Sequence, residues 1–275
     1  MNSARRSWRW SAAAFVAAAV VLFPFYWMVT TALRQESSVF AYPPNLLPTD
    51  LSPGLLIAVL WKTDVVRWLL NTAFIAGTAT LIVLPIAALT AYALARQTGR
   101  VVSITALLIV VTQMMSPALL LVPYFVMFRE LHLLDTYTAL IIANVAWAAP
   151  VSAWLMKSAF QSVPADLESA ALVDGCSRLG AFFRIAVPLA LPGIAATTVF
   201  AFISAWDEYL FARTFVSNSI YWVVSVGLGS FTGDYSTSWQ QIMAVATLST
   251  LPPAILFLFV QRAFVDGIAS GGLKG

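Results

Sequence analysis

A single cysteine, Cys176, stands in the whole chain, so no internal disulfide can form, and its place in a polar segment gives it a small-residue role rather than a redox one. Histidine is equally scarce. His132 alone excludes an H-E-x-x-H zinc site, and with one distant cysteine no familiar ligand set can be assembled, which leaves His132 to capping or interfacial hydrogen bonding. Lysine occurs only at Lys62, Lys157 and Lys274, never within G-x-x-x-x-G-K-[ST], so the chain holds no phosphate-binding loop and is not its own ATPase by that route. Nothing supports a Ser/His arrangement. No catalytic residue, metal ligand or cofactor is therefore assigned to this chain.

Charge is also sparse: 10% of residues are charged against 60% hydrophobic, with a mean hydropathy of +0.85. That balance belongs to membrane proteins rather than soluble domains. Charge-free runs occupy 10–33, 68–95, 101–128, 136–156, 185–206 and 235–261. Each reaches the roughly 20 residues that a helix needs to cross about 30 Å of hydrocarbon. The expectation is an all-α polytopic membrane protein, one domain over 1–275, with six transmembrane helices near 12–33, 68–95, 102–128, 136–157, 188–211 and 239–261. A seventh run, 214–233, carries Ser217, Asn218, Ser219, Gly227, Gly229 and Gly233 and reads as an interfacial or partly re-entrant segment packed on protein.

Six spans place both termini on one side. A cytoplasmic N-terminus collects ten of the fifteen Lys and Arg residues inside: Arg5, Arg6, Arg9, Arg96, Arg100, Lys157, Arg178, Arg184, Arg262 and Lys274. This bias predicts an N-in, C-in topology in the cell membrane, and it accounts for the net charge of +3 through the lipid bilayer, with no nucleic acid needed. The apolar core from Phe15 to Leu33 is longer and bulkier than that of a signal peptide, so it reads as an uncleaved first span. Residues 34–67, with Tyr42, Pro43, Pro44, Pro48 and Pro53, read as an irregular external loop able to dock a partner.

Two places carry ionisable groups among the apolar runs. Asp207 and Glu208 lie in AFISAWDEYLFAR, about 28 Å along a fifth span that starts near Pro188. With Trp206 and Tyr209 beside them, they suit either an interfacial aromatic belt or part of a substrate path. The second place is 164–188, PADLESAALVDGCSRLGAFFRIAVP, where Asp166, Glu168, Asp174 and Arg178 can only be wet, followed by Arg184. Pro164 opens a helix whose first turn is acidic, and Asp174-Gly175 ends it where left-handed backbone is wanted. A second short helix follows. Such a pair is either a knob for another protein's groove or an amphipathic surface element, and the residues alone do not choose.

The stretch ESAALVDGCSRLGAFFRIAVPLALPG resembles the EAA loop of permease subunits in ABC importers, with Ala170, Ala171, Asp174, Gly175, Ile185 and Pro188 in order and spacing. AWDEYLFA at 205–212 and the ending QRAFVDGIASGGLKG at 261–275 are similar to segments of the maltose-type, carbohydrate-uptake branch. Together with FPFYWMVTTAL at 23–33, the resemblance covers nearly the whole chain. Two departures stand out: Ser169 occupies the position of the motif's first Glu, with Glu168 one residue earlier, and Asp207 replaces the usual Asn.

The resemblance implies an ABC importer permease fold. It also implies an ATPase-coupling loop over 161–187, carried by Glu168, Ser169, Ala170, Ala171, Asp174, Gly175, Arg178 and Arg184. A small, flexible cytoplasmic tail over 262–275 would meet the ATPases through Asp266, Gly267, Gly271, Gly272 and Lys274. The implied partners are a second homologous permease, two ATPase subunits that bind ATP and Mg, and an external solute-binding protein that delivers a sugar or related polyol. Asp207, Glu208 and Tyr209 are the candidates for a substrate path. A secondary transporter driven by an ion gradient is the alternative; it would show inverted repeats and a midplane ion site, and neither is found.

Overall fold

The computed structural model describes residues 2–43, 45–47, 50–233 and 237–271. In chain order the helices are α1 (Asn2–Leu33), α2 (Glu36–Val39), α3 (Pro53–Lys62), α4 (Val65–Arg96), α5 (Arg100–Met114), α6 (Pro117–Glu130), α7 (Tyr137–Gln161), α8 (Ala165–Val173), α9 (Arg178–Ala181), α10 (Val187–Leu189), α11 (Leu191–Trp206), α12 (Leu210–Phe215), α13 (Val224–Leu228) and α14 (Trp239–Gly271). Among the described residues the only β pairing is an isolated bridge between Thr232 and Thr237. The fold is all-α.

Among the described residues four helices are long and apolar enough to cross a membrane, at Trp10–Leu33, Val65–Arg96, Tyr137–Gln161 and Trp239–Gln261, and two bent pairs bring the number to six if each pair is one span. The stretch expected as one span over 102–128 is two helices, α5 and α6, meeting at 99°. The break has a local cause. Pro117 lacks an N–H and disfavours helical backbone in the residue before it; Ser116 and Met115 are both extended, and Ser116 Oγ accepts from Ala118 N at 3.4 Å to start α6. The expected span 188–211 likewise differs: Arg178–Leu189 and Leu191–Phe215 meet at 78° around Ala190, next to Pro192.

By contacts the chain forms two units, residues 1–67 with 227–251, and residues 68–226 with 252–275. In the first unit every side chain from Trp10 to Tyr26 of α1 is exposed, and this apolar surface suits lipid. The segment after α1 is more ordered than the irregular loop expected from its prolines, since it contains α2 and α3. Arg34 is buried; its guanidinium donates to the Asn45 carbonyl, stands 5.6 Å from the Trp27 ring centroid, and lies 3.8 Å from the Asp50 carboxylate. Tyr26 OH donates to Leu46 O at 2.6 Å, closing the segment onto the end of α1, and Gln240 of α14 donates to Ala32 O at 2.9 Å.

In the second unit, α4 turns one stripe inward: Ile75, Ala79, Val83, Ala87 and Ala91 recur every fourth residue and are all buried. The lower part of this stripe packs with Ala153, Met156 and Phe160 of α7 and with Phe182, Ala186 and Ala190. Another cluster joins Ile75 to Phe128, Leu140, Phe211 and Phe215. Asn71 satisfies its whole amide: Nδ2 donates to Ile220 O and Trp222 O, each at 2.8 Å, and Oδ1 accepts from Tyr137 OH at 2.8 Å. The irregular stretch 217–224 is thereby fastened to α4, which gives the carbonyls of Ile220 and Trp222 their hydrogen-bond partners.

Candidate functional site

The polar segment between α7 and α11 is built on a base of unusually close helix packing. A Cβ placed on Gly193 of α11 would lie 2.2 Å from Ala159 Cβ of α7, so these two helices approach in a way that only hydrogen at 193 permits. Both ends of the segment are pinned there.

From this base the chain turns at Ser162 and Val163 into α8. The helix ends in a paired C-terminal motif: Cys176 N donates to Ala171 O at 2.9 Å and Gly175 N to Leu172 O at 3.1 Å, with Gly175 at φ +86°. This is the geometry that Asp174-Gly175 predicts, and a Cβ there would be strained even though it would meet no neighbour within 4 Å. Ser177 then starts α9, its Oγ accepting from Gly180 N at 3.1 Å. A π-turn over Phe182–Ala186, in which Val187 N donates to Phe182 O, carries the chain into α10. The extra residue in this turn sets which way Phe182 and Phe183 point.

Glu168 is the correction to the sequence reading. Expected to be wet, it is the one buried side chain of α8. Its Oε1 accepts from Arg96 Nε at 2.9 Å and Nη2 at 2.6 Å, and its Oε2 accepts from Tyr92 OH at 2.5 Å. Arg96 Nη2 also donates to Val163 O at 2.8 Å. The Tyr92 ring packs edge-on against Phe160 of α7 and Phe182 of the π-turn, with centroids 5.7 and 4.9 Å away. One node thus joins the last turn of α4, the end of α7 and the polar segment. The sequence reading counted Arg96 among the cytoplasmic basic residues and assigned nothing to Tyr92; the signal available was an aromatic and an arginine four residues apart where an apolar helix ends.

The remaining predicted residues of this segment face outward. Ser169, Ala170, Asp174, Gly175, Arg178 and Arg184 are exposed, Ala171 is half-buried, and Ser169 Oγ donates to Ala165 O at 3.2 Å. Around them Leu167, Leu172, Val173, Leu179 and Phe183 are also exposed, Val173 to 87%. The exposed residues of the polar segment thus combine these apolar side chains with two carboxylates, Asp166 and Asp174, and two guanidinium groups, Arg178 and Arg184. Large apolar side chains left exposed together with charged ones on a polar connection suit a surface that meets another molecule.

Asp207, Glu208 and Tyr209 lie elsewhere, in the break between α11 and α12. Glu208 Oε1 and Oε2 accept from Phe211 N at 2.6 Å and Ala212 N at 2.9 Å, and its carbonyl accepts from Ser225 Oγ at 2.7 Å. Its carboxylate caps α12, while Asp207 and Tyr209 are exposed. The expectation of a flexible tail from 263 meets a helix: α14 runs to Gly271, so the backbone of Asp266 and Gly267 is helical, and Gly272 and Lys274 lie outside the described residues.

Comparison with known proteins gives this arrangement a context. Residues 83–270 match the family described as the binding-protein-dependent transport system inner membrane component. The chain is 34% identical over 265 residues to the sulfoquinovosyl glycerol transport system permease protein SmoH of Agrobacterium fabrum, covering 95% of this chain and 93% of that one. It is 32% identical over 266 residues to the trehalose/maltose transport system permease protein MalG of Thermococcus litoralis, covering 95% of each. Among solved structures, a chain of a bacterial ABC transporter involved in the import of the acidic polysaccharide alginate superposes with a TM-score of 0.78 at 23% identity, covering 96% of this chain and 98% of that chain.

Proposed function

Because this chain belongs to the family of inner membrane components of binding-protein-dependent transport systems, a multi-pass membrane permease subunit of an ABC importer and not itself an enzyme, we propose that it forms half of the translocation path for a sugar or related polyol. The other half is a second, homologous permease. Two ATPase subunits, holding ATP and Mg, dock on the segment 161–187, and an external solute-binding protein delivers the solute. The observation that carries this reading is the exposure of Leu167, Leu172, Val173, Leu179 and Phe183 on a segment clamped to α4 and α7, because a surface that receives force must be both adhesive outside and rigid inside.

The chain spans the membrane six times in this reading, with two of the spans bent, and both termini are cytoplasmic. Transport proceeds by alternating access, with helix bundles rocking as rigid bodies while ATP-driven closure pushes through the segment. Nucleotide and solute bias that equilibrium by their different affinities for its two states. The C-terminal residues Asp266, Gly267, Gly271, Gly272 and Lys274 reach the ATPase interface. Asp207 and Tyr209, exposed beside the capped start of α12, are the residues offered to a substrate path, with Glu208 between them holding the backbone N–H groups of Phe211 and Ala212.

The test is purification through a tag on this chain from its own host. Co-purification of a second permease and an ATP-hydrolysing subunit is expected, together with uptake of labelled trehalose, maltose or another small glycoside that ceases when this chain is deleted. ATP hydrolysis by the chain alone after stringent purification, or uptake that follows an ion gradient without ATP, would refute the reading. Cys176, the sole cysteine, reports orientation: an impermeant maleimide should label it only after the membrane is opened.

A further inference from the structure

We propose that Arg96, Glu168 and Tyr92 form a positioning staple that makes the docking segment move as one body with α4. The inference rests on the reading of 161–187 as the surface that meets the ATPase subunits. It assigns Glu168 a part in coupling from inside the fold, without contact with the partner.

The helix α8 has nine residues, too few to be stable on propensity alone, and Glu168 is its only buried side chain. The one side chain that fastens it at full burial is therefore polar rather than apolar. That distinction matters mechanically. Apolar packing is non-directional and lets a short helix slide or roll, whereas the 2.6 and 2.9 Å bonds from one guanidinium and the 2.5 Å bond from Tyr92 specify position and orientation together. Arg96 also holds Val163 O at 2.8 Å, so the residues that lead into α8 are fixed by the same side chain. Arg96 is the last residue of α4 and Tyr92 lies one turn earlier, so any displacement of α8 is delivered to the end of that helix.

This geometry gives residues 168 and 169 opposite surroundings, one buried and one exposed. Residues 168 and 169 are about 100° apart around a helix, so the side chain that points inward at 168 cannot also reach a partner. Ser169, on the outward side, has its hydroxyl turned back onto Ala165 O. The acid present in this chain serves the inside of the segment, and the outward face at 169 is neutral.

The experiment uses the complex purified through this chain, as wild type and as Glu168→Gln, Arg96→Lys and Tyr92→Phe. Amide hydrogen exchange is followed over α8 and over the cytoplasmic half of α4, with and without Mg-ATP and vanadate. In Glu168→Gln, exchange over 165–173 should quicken by about tenfold. The nucleotide-induced change in α4 should shrink about fivefold or more, the low end of ordinary coupling, while nucleotide binding and subunit yield are unchanged. Arg96→Lys, which keeps the charge but loses the two-nitrogen grip, should fall between wild type and Glu168→Gln. Unchanged protection of α8 together with an unchanged response in α4 would overturn the staple. Should Glu168→Gln fail to assemble, Tyr92→Phe removes a single hydroxyl and must still shift both readouts in the same direction; no shift would overturn the proposal equally. A wild-type complex with no nucleotide response in either segment would instead sink the reading of 161–187 as the coupling surface, and the staple's role would fall with it.

Discussion

Replacing Gly193 with Ala puts a methyl carbon 2.2 Å from Ala159 Cβ, where carbon atoms ordinarily rest about 3.5–4.0 Å apart. The helices α7 and α11 must then separate by roughly 1.5 Å at the base of the docking segment, because the neighbour is a Cβ on helical backbone and has no rotamer to escape into. Overpacking of this kind costs about 1–3 kcal/mol. Ala159→Gly removes the obstructing methyl but places Gly within α7, at about 1 kcal/mol. The two changes together exchange the methyl between helices and restore the approach, so the double variant should be more stable than Gly193→Ala alone. Their interaction energy should be at least about 1 kcal/mol and favourable. Thermal unfolding of the detergent-purified complex, followed by loss of its monodisperse peak, should fall by at least about 2 °C for Gly193→Ala and recover in the double variant. Additive effects of the two changes would refute the argument, since they would mean that residues 159 and 193 do not touch.

Further outcomes follow from the same geometry. Gly175→Val places a β-branched residue at φ +86° and should cost about 1 kcal/mol or more, impairing uptake far more than insertion, whereas Gly175→Asn, which tolerates left-handed backbone, should retain most uptake; equal behaviour of the two would show that the turn is not strained. Ser169→Glu should leave Glu168 paired with Arg96 and uptake intact, and should strengthen ATPase co-purification if the outward face meets a basic partner; loss of uptake would place residue 169 inside the fold. Truncation after Arg262 removes the last turns of α14 and the residues beyond, and should leave insertion intact while altering ATP hydrolysis or its stimulation by binding protein; a truncated complex that transports like wild type would confine the tail to a terminal role.

Much of this protein was legible in one dimension because its solvent is simple. A charge-free run of about 20 residues has one low-energy fate in hydrocarbon, so the helices at Trp10–Leu33, Val65–Arg96, Tyr137–Gln161 and Trp239–Gln261 follow from composition. The turn at Asp174-Gly175 was equally local: a glycine after a short helix with an acidic first turn meets a backbone requirement set within six residues. The family was visible in motif spacing. Charge counting, by contrast, treats every ionisable residue outside an apolar run as solvated, and it therefore placed Glu168 in water. Only the meeting of α4 with the segment 72 residues further along supplies the guanidinium and hydroxyl that make burial of that carboxylate favourable. The same holds for the bends of 99° and 78°. Prolines mark where a helix is weak, but the angle depends on what packs against each arm. Ala159 and Gly193 are unremarkable small residues until the fold sets them face to face, because a close approach is a property of two helices and neither one encodes it alone.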